Sequence, residues 1–420
     1  MPILDLQYEK YKLSNGLQVI LHKDNAVPLV SVNLWYHVGS ADEQRGKTGL
    51  AHLFEHMMFQ GSQNVPKEMH FKYIQEAGGV LNGSTNFDRT NYYEKVPSNF
   101  LELALWLESD RMGYFLPALT LEKLNNQKDV VKNERLERYD NQPYGLAWEI
   151  LISNIYPDVH PYNWATIGSI NDIENYSLED VSTFFNLFYS PSNATLVVAG
   201  DFEEAKAREM IDKYFGSIKS TNSVSHPSVK PFNIKKEIFI ERKENVQLDR
   251  IYFAWNSDKA FGADDAALDV LSDILAGSKG SRLYKKIVHE LEIAQDISVF
   301  QYSGKLAGHL MVVATAKPGN DLDKIKKEII YELDILRING ATEKELTKTK
   351  NSIRSGFIYS LQNLDSLADQ LNFYNFYLDE PNSFSNDLKR YDVVTNEHIK
   401  TVAEKYLTAP FVELRITPNQ

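Results

Sequence analysis

Two histidines four residues apart, with a glutamate directly before the second, constrain this chain more than any other feature. They are His52 and His56, with Glu55 between them, in the run Gly49-Leu-Ala-His-Leu-Phe-Glu-His-Met-Met-Phe59. On a helix, positions four apart lie one above the other, so both imidazoles face one point. Leu50, Ala51, Leu53, Phe54, Met57, Met58 and Phe59 are apolar on nearly every side, which predicts a helix buried all round. Sinking two histidines and a carboxylate into such a helix is costly unless they are paired or bind a metal. The order His-x-x-Glu-His is that of an inverted zinc motif. It implies metal-assisted hydrolysis, with Glu55 as general base.

A tetrahedral catalytic zinc takes three protein ligands and keeps one position open, so the third ligand must come from elsewhere in the chain. Residues 121–140 have helical spacing, marked by Leu124, Val130, Val131 and Leu136. They carry Glu122, Glu134 and Glu137, and Glu102 lies upstream on another segment. Spacing alone does not choose among these.

Longer stretches bear on the choice. Leu13-Ser-Asn-Gly-Leu-Gln-Val-Ile-Leu21, Val38-Gly-Ser-Ala-Asp-Glu43, the His52 motif, Val96-Pro-Ser-Asn99, Leu107-Glu-Ser-Asp-Arg-Met112, Val131-Lys-Asn-Glu-Arg135, and Tyr189-Ser-Pro-Ser-Asn-Ala-Thr-Leu196 running to Gly200-Asp-Phe202 resemble the pitrilysin and mitochondrial-processing-peptidase family of zinc endopeptidases. The resemblance covers residues 8–202 and implies that Glu134 is the third ligand to one Zn2+ per chain. Members of that family often carry a glutamate seven residues earlier on the same helix face, supporting a ligand. This chain has Gln127 there, which can hydrogen-bond but supplies no charge.

A chain of 420 residues is too long for one ordinary core. Its later part reads as a degenerate copy of the earlier one. In the first half, strand-like residues 17–22 and 29–35 lead into the His52 helix. In the second, 238–241 and 250–255 lead into a helical run at 266–275 that has no histidines. Residues 171–185, followed by a strand at 194–199, correspond in the same way to 391–403 and the strand at 411–416. Polar, proline-bearing residues 217–231 read as a linker, with His226 in it exposed. The expected organisation is a zinc domain over 1–217, a linker over 218–234, and a second domain without a metal site over 235–420. Each domain would be an α+β arrangement, a mostly antiparallel sheet covered by helices. The family resemblance implies that the two together form half of a clamshell.

Residues 78–88, followed by 90–96, read as a glycine-led hairpin. In the resembled family this strand is a sheet edge near the zinc, to which a substrate peptide adds as an extra strand. Asn82, Gly83, Ser84 and Thr85 are its candidate contact residues. In many such peptidases a related half without metal supplies an arginine and a tyrosine that hold the substrate carbonyl. Alignment on Leu283 and Ala294 puts Val288 and Gln295 at those positions, while Arg282 and Tyr284 have the wrong spacing and read as structural. The expected partner is therefore a related non-zinc subunit in a heterodimer, in preference to a homodimer. His22, His37, His70, His160, His289, His309 and His398 have no ligand-like spacing.

No apolar run is long enough to span a bilayer, and the net charge of -12 disfavours nucleic acid and anionic membrane. Zero cysteines exclude disulfides and thiolate ligation of zinc. The start Met1-Pro-Ile-Leu-Asp-Leu shows no signal peptide, which points to the cytoplasm, or to the periplasm if a signal was trimmed. The sequence thus reads as the catalytic subunit of a zinc endopeptidase acting on unfolded peptides in an enclosed chamber. The alternative is a non-catalytic structural or peptide-binding subunit.

Overall fold

The computed structural model of the chain describes residues 5–221 and 224–419. The first sheet takes the strands β1 (Glu9–Lys12), β2 (Gln18–Lys23), β3 (Leu29–Tyr36), β4 (Val80–Thr85), β5 (Thr90–Pro97) and β6 (Ala194–Gly200). Their order is β1-β2-β6-β3-β5-β4. The second takes β7 (Ile238–Glu244), β8 (Arg250–Ser257), β9 (Ala294–Ser303), β10 (Gly308–Ala316) and β11 (Val412–Pro418), in the order β7-β11-β8-β10-β9. Apart from β1 the two orders are the same. In each sheet one pair is parallel, β2 with β6 and β7 with β11, and the rest are antiparallel. The α+β class and the internal copy are both present. The helices Leu178–Phe188 and Asn396–Leu407 precede β6 and β11 and start with matching capping boxes, Ser177 with Asp180 and Thr395 with His398.

Four helices of the first half bear on the candidate site: α1 (Leu50–Met57), α2 (Met69–Glu76), α3 (Leu101–Tyr114) and α4 (Leu121–Arg135). Alternation along β3 explains how the first sheet is covered. Val30, Val32, Leu34 and Tyr36 are fully buried on the face packed by α3, each contributing roughly 1.5–3 kcal/mol by leaving water. Ser31, Asn33 and Trp35 face the other way and meet the helix Leu364–Leu378. Ser31 Oγ donates to Asp365 at 3.0 Å, and Trp35 Nε1 to Asp369 at 2.9 Å. A strand covered on both sides needs no exposed face, and all seven residues of β6 are accordingly buried.

That covering helix explains why the compact units do not follow one cut in the sequence. The first unit runs to Arg135, then takes Trp164–Pro227 and Ile358–Ser385. The second takes Leu136–Asn163, Ser228–Phe357 and the chain from Asn386 onward. A cut between 217 and 235 misses both exchanged segments, because the polar contacts that recruit them are long-range. Tyr156 shows this for the second unit, its hydroxyl hydrogen-bonding His309 Nδ1 at 2.8 Å across 153 positions of chain. The helical marks of α4 are also redistributed. Leu124, Gln127, Val131 and Arg135 form its buried stripe, while Val130 is exposed.

Candidate metal centre

The entry into α1 is built from glycine and two buried carboxylates. Gly49 has φ 87°, and a Cβ there would lie 2.5 Å from the Ile167 carbonyl oxygen, so no other residue fits without movement. Glu43 accepts the N–H groups of Gly49 at 2.9 Å and Ala51 at 2.7 Å, and Trp164 Nε1 at 3.0 Å. A carboxylate at a helix N-terminus satisfies otherwise orphaned donors and meets the positive end of the dipole. Burial pushes the Glu43 carboxyl up to about 8 while the three N–H donors pull against it. Asp172 accepts from Thr48 N at 2.9 Å and Thr48 Oγ1 at 2.6 Å, anchoring the preceding residue. Glu43 stands inside the Val38–Glu43 motif, but nothing local in the sequence reveals this capping role.

On α1, Leu50, Ala51, Leu53, Phe54 and Met57 are buried, whereas His52, Glu55 and His56 are only partly so. The helix is thus not buried all round. Phe54 packs among Phe115, Phe184, Phe185 and Tyr189, which turns the polar edge toward α4. There Glu134 Oε2 lies 3.2 Å from His56 Nε2 and 3.8 Å from His52 Nε2. The three ligand atoms lie within 4.8 Å of one another. Tetrahedral zinc with bonds of about 2.0–2.1 Å sets its ligand atoms roughly 3.3 Å apart, so two imidazoles and a carboxylate in this arrangement fit zinc in geometry and in chemistry. Of the glutamates on 121–140, Glu134 is the one in this group. Gln127 is buried seven residues before it, and its amide nitrogen donates to Asn126 Oδ1 at 2.9 Å.

Strand β4 ends the sheet order and passes over Glu55. Thr85 Oγ1 donates to Glu55 Oε2 at 2.6 Å, and a Cβ placed on Gly83 would sit 3.1 Å from Glu55 Cγ. Alternation sends Asn82 and Ser84 to the opposite face, where Ser84 Oγ donates to Asn91 Oδ1 at 2.6 Å and accepts from Arg89 at 2.6 Å. Asn82 Oδ1 accepts the Gly83 N–H at 2.9 Å. Of the four candidates on this strand, then, two face the glutamate and two face away. Burial raises the Glu55 carboxyl above its ordinary value, while the Thr85 hydroxyl and the neighbouring His56 oppose the shift.

A second group of potential ligands, His70, Glu94 and Glu108, lies buried behind the first. Here Arg111 already supplies the cation. Its Nε is 2.9 Å from Glu108 Oε2 and its terminal nitrogen 3.2 Å from Glu94 Oε1, and the ring of Tyr92 lies 4.1 Å from the guanidinium. Burial and the nearby Glu108 push the Glu94 carboxyl well up, and burial drives His70 well down, so His70 sits neutral 3.1 Å from Glu94. This is a paired structural network. His226, read as an exposed linker residue, is exposed but engaged, with Nδ1 2.8 Å from Asp42 Oδ1. Arg282 makes two 2.7 Å contacts with Glu345, in keeping with a structural role.

Known proteins resemble this chain over most of its length. Residues 18–160 match the family described as Insulinase (Peptidase family M16), and residues 175–353 match the Peptidase M16 inactive domain. The chain is 31% identical over 378 residues to the zinc protease PqqE of Helicobacter pylori, covering 89% of this chain and 83% of that one. It is 24% identical to a probable mitochondrial-processing peptidase subunit beta of Arabidopsis thaliana, over 94% of this chain and 75% of that one. The crystal structure of a protease from Helicobacter pylori superposes with a TM-score of 0.91 at 27% identity, covering 99% of this chain and 100% of that one.

Proposed function

Because the chain belongs to peptidase family M16, we propose that it is a zinc-dependent endopeptidase subunit that hydrolyses unfolded peptides. The observation that carries this reading is the meeting of His52, His56 and Glu134 beside Glu55, under an edge strand. In this reading the three residues hold one zinc, which supplies Lewis acidity toward a peptide carbonyl and toward water. Glu55 takes a proton from the attacking water and returns it to the leaving amine. A peptide adds to β4 through its backbone, a mode that tolerates many sequences, and Gln127, buried seven residues before Glu134, offers a ligand hydrogen bonding without charge. Val288 and Gln295, standing where an arginine and a tyrosine would be expected, support a related non-zinc chain as partner ahead of a homodimer.

The test is cleavage of a quenched, unstructured peptide by the purified chain, with zinc and then with a chelator. Chelator-sensitive turnover that Glu55→Gln removes would support a complete peptidase. One zinc per chain without turnover would direct the search to the missing subunit. A chain that takes up no zinc would overturn the reading.

A further inference from the structure

Strand β4 does more than end the sheet, because it also grips the proposed base. Thr85 Oγ1 has one proton and donates it to Glu55 Oε2 at 2.6 Å. Thr90 Oγ1 stands 3.4 Å from Thr85 Oγ1 and donates to the Val38 carbonyl at 2.9 Å, so the 2.6 Å contact with Glu55 is the short bond that Thr85 makes. Two residues earlier on the same face, Gly83 brings no side chain. A Cβ there would stand 3.3 Å from Glu55 Oε1, tight enough to push the carboxylate. One oxygen of Glu55 is therefore tied to the strand and the other is given space. The pairing of β4 with β5, Gly83 opposite Tyr92 and Thr85 opposite Thr90, holds this in register.

We propose that Thr85 is a positioning residue for Glu55, fixing Oε2 so that Oε1 is the oxygen that handles the proton of the attacking water. This rests on the peptidase reading. Its consequence is that the strand receiving the peptide also orients the base, so substrate register and base orientation are set by one piece of backbone. Misplacing a catalytic group by about an ångström can cost on the order of 100-fold in activity.

The experiment uses the zinc-loaded full chain, with any partner subunit it requires, as Thr85→Val, Thr85→Ser and Glu55→Gln. Thr85→Val removes the hydroxyl at nearly constant volume, and Thr85→Ser keeps it. Crystal structures give a readout independent of turnover. The expected result is a displaced Glu55 carboxylate in Thr85→Val, with β4–β5 pairing and zinc content intact, and a native Glu55 in Thr85→Ser. In kinetics, kcat falls about tenfold or more in Thr85→Val with KM within roughly twofold, and Thr85→Ser recovers most of it. An unmoved carboxylate in Thr85→Val, or equal losses in both variants, would overturn the proposal. Failure of the peptidase reading looks different, since Glu55→Gln would then leave activity unchanged while the crystallographic comparison still decides what Thr85 does.

Discussion

Helix α1 follows β2 and β3 in the first sheet as the helix Asp265–Ala276 follows β7 and β8 in the second, and the two sheets share one strand order. Both helices bury polar groups, but the groups are used differently. In the second helix every acidic side chain finds a partner within its own unit. Asp265 accepts from the Phe261 N–H, from Ser303 Oγ and from Arg390. Asp269 accepts from Tyr391 at 2.9 Å, and Asp273 from Thr349 at 2.7 Å. In α1 the two histidines instead converge on Glu134 of α4, a group whose ligand atoms lie close enough together to hold a metal ion. Equal topology with unequal chemistry means that function here is a matter of a few side chains set on a repeated frame.

The largest expected effect separates the two helices. Glu55→Gln should lower kcat about 10²–10⁴-fold with zinc content unchanged, while Glu134→Ala should lose the zinc itself. Asp269→Asn should change neither. Metal analysis beside turnover checks all three, and loss of zinc in Asp269→Asn would break the comparison.

The next effect concerns stability. Arg111 is buried against Glu108 and Glu94, and removing one member strands the others, so Arg111→Leu should destabilise the first unit by about 3–5 kcal/mol. Arg282 of the second unit pairs with a partly exposed Glu345, so Arg282→Leu should cost about 1 kcal/mol or less. Hydrogen exchange of each sheet's central strands would distinguish them. Similar losses for both would show that burial of the ion pair is not what matters.

These residues also mark what could be read from sequence. The paired strands, the α1 motif and the copied frame were legible because periodicity and spacing are local. Glu134 was legible only through resemblance, since spacing left Glu122 and Glu137 open. The Glu43 cap, the Thr85 grip and the Arg111 network were not legible, because each joins segments that only the fold brings together. Arg111 sits in the Leu107–Met112 stretch, yet its partner Glu94 is 17 residues upstream on a strand. For the same reason the helix Leu364–Leu378 could not be assigned to the first sheet, whose Ser31 and Trp35 it meets more than 300 positions away.

An effect confined to high pH isolates the cost of the second helix's buried acid. Burial, reinforced by the charge of Asp265, raises Asp269 to about 7, while Tyr391 and Arg390 oppose the rise. A folded-state value above the unfolded one, roughly 4, means that the native chain binds more protons across that window. The contribution is therefore full below about pH 4 and is lost as pH rises through 7. Asp269→Asn cannot ionise and can still accept from Tyr391, so it should be more stable than the parent at pH 8, by roughly 4 kcal/mol, and nearly equal to it at pH 4. Thermal melts at the two pH values measure the difference. An Asn variant that tracks the parent at both would mean that Asp269 ionises freely in the fold. The second helix would then tolerate charge much as α1 does, and the contrast between them would rest on the histidines alone.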